Sequence, residues 1–280
     1  MEAILTIAHL TLHEARRRKI MLAAVVIGVA FLAVYALGLF FIFRSMVANE
    51  ENLIEQRAIT GLLVLAGIYV ANFLGVASAV LLAVDTLSGE ISSGVIETLA
   101  AKPVRRSDIV LGKWLGYAVI AAVYLVAMTI GVMVIARILT GASYPFDVAR
   151  ALPLMLLQAL VLLSITIAGG TIFSTVTNGI VAFGFYGLAF MGGFVEQIGL
   201  VIGNATARDL GTAVSLISPS DALWRMAMFH LTPEFIRNTN EAPPMFWSAS
   251  TPTSAMIVWA VAYVGLALAL AIRTFNRRAL

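Results

Sequence analysis

The sequence predicts an all-α, polytopic membrane protein with six transmembrane helices in one domain, 1–280. Hydrophobic residues make up 61% of the chain, and charged residues make up only 12%. A soluble domain is about half apolar and about a quarter charged, so a water-soluble fold of this size cannot bury the excess. Long uncharged runs also recur along the chain. Each is long enough to cross a hydrocarbon core of about 30 Å as a helix.

The first segment, 1–19, predicts an amphipathic helix that lies in the headgroup region of the membrane. Ile4, Ala8 and Leu12 recur at helical spacing, whereas polar side chains such as Arg16 fall on the other face. An interfacial helix buries its apolar face in the membrane and directs its cations to anionic headgroups. Membrane lipid is therefore an expected partner.

The first predicted span is 20–43, an uncharged run that follows four consecutive cations. The apolar core of a signal peptide has only about 7–15 residues and ends in small residues at a cleavage site. This run is longer and ends in Phe40, Phe41, Ile42 and Phe43. We expect a retained span rather than a cleaved signal.

Five further spans follow from the remaining apolar runs. No charge occurs from Ala151 to Val195, and this length needs two crossings at about 20 residues each. The polar, turn-forming cluster 175–179 predicts the break between them. The six predicted spans are 20–43, 58–84, 109–136, 151–174, 179–202 and 254–272.

The distribution of cations predicts the orientation. Eleven of the 18 Lys and Arg residues cluster in 16–19, 102–113 and 273–278, beside span ends that share one side of the membrane. The positive-inside rule places this side in the cytoplasm. We therefore expect a multi-pass protein of the plasma (cytoplasmic) membrane with both termini inside, a cytoplasmic loop at 85–108 and an outer loop at 203–253.

The outer loop divides into two parts. Gly211–Leu231 is apolar, and Ser218-Pro219-Ser220-Asp221 predicts the start of a helix within it. Residues 237–253 are rich in Asn, Pro, Ser and Thr and predict an irregular connection. Whether 211–231 enters the membrane is left open by the sequence.

The cytoplasmic loop has the most distinctive pattern. An apolar stripe with Glu90 and Glu97 beside it predicts a short amphipathic helix on the inner membrane surface. Pro103 ends this helix, and Arg105 and Arg106 form a basic turn after it. The loop is either an ordinary connector or a docking element for a partner. The stripe consists of Leu87, Ile91, Val95 and Leu99.

The loop carries a Gly-Glu pair at 89–90, Glu97-x-Leu99, Lys102-Pro103-x-Arg105-Arg106 and Leu111-Gly112-Lys113. This pattern resembles the intracellular loop between spans two and three of ABC type-2 exporter permeases. The six spans, the amphipathic first helix and the long last outer loop are also similar to that family. Within the family, 218–225 and 273–278 resemble permeases grouped with multicopper-enzyme maturation, such as that of nitrous-oxide reductase.

The resemblance implies a machine of two permeases, here expected as a homodimer, and two ATP-binding-cassette ATPase subunits that bind ATP and Mg. This chain is then a transporter subunit rather than an enzyme. It has no phosphate loop, since Gly112-Lys113 is followed by Trp114 and lacks the upstream glycine. No cofactor, metal or nucleic acid is expected on it. The resemblance implies ATPase-coupling roles for Glu90, Gly94, Glu97, Pro103, Arg105 and Arg106.

Polar residues inside the predicted spans are candidates for a translocation path. They are Asn72, Ser78, Gln158, Ser164 and Glu196. The alternative for the first four is hydrogen bonding between helices. Glu196 is either an intramembrane acid with a function or a residue in water at the end of its span.

Other functions have less support in the sequence. His13-Glu14 begins like a zinc-protease motif, but Arg17 stands where the second histidine is needed. Met226, Met228 and His230 alternate, so they do not share one helix face for a copper site. The sequence therefore lacks the set of nucleophilic or metal-binding residues that an intramembrane enzyme needs. The main alternative is a non-transporting membrane assembly or anchoring protein that uses the same loop to bind a different partner. The sequence does not set a substrate.

Overall fold

The computed structural model describes residues 2–49, 52–92, 105–141, 147–232 and 252–277. Every regular element in these ranges is a helix, and six helices are long and apolar enough to cross a membrane, namely Lys19–Ala48, Leu53–Ile91, Arg106–Thr140, Val148–Gly170, Thr175–Val201 and Ala255–Arg277. The all-α, six-span prediction is confirmed. The helices are α1 (Glu2–Arg17), α2 (Lys19–Ala48), α3 (Leu53–Ala83), α4 (Ser88–Ser92), α5 (Arg106–Thr140), α6 (Val148–Gly170), α7 (Thr175–Val201), α8 (Ala205–Ile217), α9 (Ser220–Leu231) and α10 (Ala255–Arg277).

Several helices are longer than the apolar runs that predicted them. The α2 helix has 30 residues and is about 45 Å long, whereas the hydrocarbon core is about 30 Å thick. Its last turns contain Arg44, and the first turns of α3 contain Glu55 and Arg57. Uncharged runs mark only the section of a helix that lies in hydrocarbon, so the charged ends were not included in the prediction.

The turn between α6 and α7 lies earlier than the predicted break at 175–179. The α6 helix ends at Gly170, and α7 begins at Thr175 with Ser174 as its N-cap residue. Paired glycines weaken a helix end because glycine has low helix propensity. The polar residues of the predicted break instead form the first turn of α7.

The centre of the bundle consists of α3, α5 and α6. The α1 helix packs on α5, α9 and α10 pack on α6, and α7 packs on α6 and α8. The α2 helix contacts α3 and α5 at the periphery, and most of its surface is open. The largest apolar cluster combines side chains from these central helices with Leu223, Trp224 and Leu231 of α9.

Two glycines bring α1 close to α5. A Cβ atom on Gly112 would lie 2.6 Å from Cβ of Ile7, and one on Gly116 would lie 2.8 Å from Cβ of Thr11. Small residues four positions apart let two helices approach to backbone contact. The N-terminal helix is therefore seated on the third span, while Leu5 and Leu10 on its other side are exposed.

The predicted outer loop, 203–253, contains two helices in its described part. Gly203 has a φ of 72° and reverses the chain, so that α8 packs back along α7. The helix predicted near 218–221 is present as α9, with Pro219 at its N-cap position. The α9 helix is largely buried in the bundle, whereas α8 was not predicted.

Candidate functional site

Five helices meet at the end of the bundle that carries both ends of the described chain. Nη1 of Arg106 donates hydrogen bonds to the carbonyl oxygens of Phe275 (3.1 Å) and Asn276 (3.3 Å). The hydroxyls of Thr171 and Thr274 lie 2.6 Å apart. These contacts join α5, α6 and α10. We call this end the terminal face and define it as residues 14–18, 84–92, 105–113, 171–178 and 274–277.

A buried ion pair ties the start of the 85–108 loop to the third span. Nζ of Lys113 on α5 contacts Oε1 of Glu90 on α4, and the side chains are only 5% and 12% exposed. A buried charge is tolerated only with a partner, and removal of one partner from such a pair costs about 3–5 kcal/mol. The pair therefore holds α4 against α5.

A second set of contacts joins the end of α3 to the start of α7. Oγ1 of Thr175 donates to Oδ1 of Asp85 at 2.8 Å, and Oγ of Ser88 lies 2.9 Å from Oγ1 of Thr175. A guanidinium nitrogen of Arg18 lies 3.8 Å from the Asp85 carboxylate. Asp85 thus connects the α1–α2 junction with the α6–α7 turn.

The first turn of α7 is also fixed to the neighbouring backbone. Nδ2 of Asn178 donates to the carbonyl oxygens of Val84 (3.0 Å) and Thr166 (2.9 Å). Buried side-chain amides need such partners, because an unsatisfied amide costs free energy in an apolar interior. Asn178, which the sequence analysis placed in a turn, is therefore a clamp between α3, α6 and α7.

Three of the six predicted coupling residues lie within the described part of the chain. Glu90 pairs with Lys113, a cation that the sequence analysis did not assign to it. Arg105 is exposed and is the N-cap residue of α5, which begins before the predicted start of the third span at 109. Arg106 binds carbonyl oxygens in the last turn of α10, where a cation complements the helix dipole. Gly94, Glu97 and Pro103, and with them most of the predicted coupling helix, lie outside the described residues.

Four of the candidate path residues make hydrogen bonds inside the bundle. Nδ2 of Asn72 donates to Oε1 of Gln158 at 3.0 Å, which joins α3 to α6. Ser164 accepts from Nε1 of Trp114 at 2.9 Å, which joins α6 to α5. Ser78 donates to the Gly75 carbonyl oxygen within α3. All of them serve local or interhelical contacts, and their place in a translocation path stays a prediction.

The fifth candidate, Glu196, belongs to a buried charge cluster at the opposite end of the bundle. Nη2 of Arg225 on α9 donates to Oε2 of Glu196 on α7 at 2.8 Å. Nε of Arg225 lies 2.9 Å from Oδ2 of Asp221, and Nη2 is 3.3 Å from Oγ of Ser215. The three charged side chains are 4–11% exposed. Glu196 therefore does not lie in water beyond its span.

Close packing of glycines forms the floor of this cluster. A Cβ atom on Gly193 would overlap the carboxylate of Asp221, and one on Gly211 would overlap Cβ of Glu196.

Burial raises the pKa of Asp221 to about 7, against the lowering effect of Arg225. The Asp221-x-x-x-Arg225 spacing on an apolar helix was a signal for this site in the sequence.

The described residues contain no group of three or more His, Asp or Glu residues that could hold a metal ion. Met228, one of the copper candidates, is buried in the largest apolar cluster, and Met226 packs against that cluster. The polar side chains of the terminal face instead form ion pairs and hydrogen bonds that join helices.

Comparison with known proteins gives one family. The family described as ABC-2 family transporter protein matches residues 5–280 of this chain. A search of curated proteins finds no match. The family match covers all six spans, the terminal face, the buried charge cluster and the 85–108 loop. Members of this family are typically non-catalytic membrane subunits that partner with an ABC ATPase subunit. The chain therefore belongs to the ABC-2 transporter family and is a transmembrane subunit of an ABC transporter.

Proposed function

We propose that this chain is the permease of an ABC exporter in the plasma membrane, with its terminal face in the cytoplasm. A separate ATPase subunit binds ATP and Mg and hydrolyses the ATP. This hydrolysis drives the export of a substrate. The cations at 16–19, 102–113 and 273–278 support this orientation through the positive-inside rule. The lack of a phosphate loop in the sequence requires the ATPase to be another chain.

The observation that carries the proposal is the attachment of the 85–108 loop at both of its ends. Its start is held by the Asp85–Thr175 hydrogen bond and the Glu90–Lys113 ion pair. Its end is held by Arg106 on the last turn of α10. A partner that displaced this loop would displace α5, α7 and α10 with it. This is the mechanical property that an ATPase-docking loop requires, and a plain connector does not need it.

We further propose that two copies of the chain pair to enclose the path. The interior polar residues Asn72, Gln158 and Ser164 are engaged between helices of one chain. This engagement favours a path between subunits over one inside a single bundle. Homo-oligomers usually close with two-fold symmetry, which fits a homodimer bound to two ATPases.

The subgroup remains part of the proposal. The similarity of 218–225 to permeases of multicopper-enzyme maturation falls on the start of α9, which carries Asp221 and Arg225 of the buried charge cluster. Because this segment is buried in the bundle, its similarity to those permeases can reflect the requirements of packing as well as membership of the subgroup. We leave the substrate class open, because no described residue selects one.

The test is recovery of the ATPase subunit with tagged permease from detergent, together with ATP hydrolysis by the complex in proteoliposomes. Glu97→Lys reverses a charge on the predicted docking helix and should lower recovery, because like charges at an interface oppose association. Glu55→Lys, an exposed acid at the other end of the bundle, is the matched control. Normal recovery and hydrolysis with Glu97→Lys would overturn the docking assignment. An ATPase that binds but drives no transport would favour the anchoring alternative.

A further inference from the structure

An apolar groove lies where α1, α2 and α5 meet. It encloses about 420 Å³ and opens toward the lipid-facing side of the bundle. Pockets that hold small ligands have volumes of about 300–1,000 Å³. Met21, Val25 and Leu32 of α2 form one wall, and Val123 and Met128 of α5 form the other. Of the residues that line the groove, Arg16 belongs to the terminal face, and none belongs to the buried charge cluster.

The length of the groove matches one leaflet of a bilayer. Its α2 wall runs from Met21 to Leu32, and eleven residues of helix rise about 17 Å. Half of a hydrocarbon core is about 15 Å deep. The groove begins two residues after Lys19, where α2 leaves the cationic segment of the chain. It therefore extends from the headgroup region to about the middle of the membrane.

The chemistry of the walls selects an apolar chain with an anionic end. The hydroxyl of Tyr124 lines the groove but donates its hydrogen bond to the Ala24 carbonyl oxygen at 3.0 Å. The charged group among the lining residues is Arg16 at the end of α1. Arg16 is exposed, and Arg17 and Lys19 beside it are exposed as well. Such a cluster of cations next to a span attracts anionic lipid headgroups.

The floor of the groove is narrow. At Gly28, a Cβ atom would lie 2.7 Å from Oη of Tyr124 and 3.0 Å from Sδ of Met128, so α2 and α5 nearly touch along the floor. A helix with side chains is about 10 Å wide, which is much wider than a single extended acyl chain. An extended acyl chain is narrow enough to enter.

We propose that this groove binds one anionic phospholipid, with an acyl chain along Met21–Leu32 and the phosphate at Arg16. The lipid would fill the space between α1, α2 and α5 and fasten the N-terminal helix to the first span. The site is independent of the proposed transport function. It would hold a lipid whether the chain moves a substrate or anchors a partner.

The headgroup half of the proposal is tested by native mass spectrometry of the delipidated, detergent-solubilised permease. Phosphatidylglycerol and phosphatidylcholine of equal chain length are the two probes. We expect one tightly retained lipid per chain and a preference for phosphatidylglycerol that Arg16→Gln lowers about fivefold, the effect of one cation at an anionic surface. Arg44→Gln, at the other end of α2, should keep the preference. An unchanged preference for phosphatidylglycerol in Arg16→Gln would overturn the headgroup assignment.

The acyl-chain half is tested by filling the groove. Val123→Trp places an indole in it, whereas Val134→Trp places the same bulk on an exposed position of α5 outside it. We expect Val123→Trp to lose retention of both lipids and Val134→Trp to retain them. Val25→Trp fills the groove from the α2 side and replaces Val123→Trp if that variant does not elute as a folded protein. Equal retention in the filled and control variants would overturn the site.

Discussion

Arg225 on α9 donates a 2.8 Å hydrogen bond to Glu196 on α7, which fixes α9 to the fifth span. The guanidinium also lies 2.9 Å from Asp221 one turn before it. One buried cation thus stands between two buried carboxylates. This arrangement predicts how removal of the cation and a change of pH affect the stability of the fold.

Replacement of Arg225 by Met should destabilise the permease strongly. The buried carboxylates of Glu196 and Asp221 would then lose their contacts with the guanidinium, and breaking a buried pair in this way costs about 3–5 kcal/mol. Thermal unfolding in detergent measures the loss. Arg208→Met, an exposed arginine on α8, should melt as the wild type. Addition of Glu196→Gln and Asp221→Asn to Arg225→Met should recover much of the loss, and no recovery would show that shape rather than charge carries the effect.

The stability of the permease should fall as pH rises from about 4 to about 7. Burial raises the pKa of Asp221 from 3.8 to about 7, so the folded chain binds more protons than the unfolded chain in this range. The free energy of unfolding then decreases with pH, by at most about 1.4 kcal/mol per pH unit. Asp221→Asn cannot ionise and should flatten this part of the profile. Identical melting profiles for wild type and Asp221→Asn between pH 5 and 8 would contradict the prediction.

The number of spans could be predicted because apolar runs report burial in lipid directly. Helix ends were harder to predict from the sequence. A polar residue such as Asn178 favours a turn by itself, but in the fold it is buried and donates to carbonyl oxygens at the end of α3 and in α6. The α8 helix was missed because Arg208 and Asp209 interrupt its apolar pattern. Charge partners depend on tertiary contacts. Glu196 is 29 residues from Arg225, and no local pattern pairs them.

The proposed orientation predicts which positions an impermeant thiol reagent reaches. The chain contains no cysteine, so single cysteines can be introduced without background. A cysteine at Asn240 should be labelled from outside intact cells, and one at Ser93 only after the cells are opened. The same two variants in lysed cells control for buried thiols. Labelling of Ser93→Cys in intact cells would reverse the assignment of the terminal face to the cytoplasm.

The glycine contact between α1 and α5 predicts a site-specific cost of added bulk. Gly116→Leu should lower the free energy of unfolding by about 1–3 kcal/mol, as overpacking does, because its side chain would enter α1 at Thr11. Gly187→Leu is the matched control, since a Cβ atom there meets nothing within 4 Å. The control should be neutral or slightly stabilising, since leucine is a better helix former than glycine, which is about 0.8–1 kcal/mol less favourable than alanine in a helix. Equal melting temperatures for both variants would show that α1 is not seated on Gly116.

The Glu90–Lys113 pair predicts that a charge swap separates attachment of the loop from docking of the ATPase. Glu90→Lys leaves two buried cations together and should lower both thermal stability and ATPase recovery, by about 3–5 kcal/mol in stability. In Glu90→Lys with Lys113→Glu, the ion pair is restored in reverse. If Glu90 acts by holding α4 against α5, the double variant recovers stability and ATPase binding together. Recovered stability without recovered binding would instead place Glu90 in direct contact with the ATPase, and loss of neither in Glu90→Lys would remove the pair from the coupling machinery.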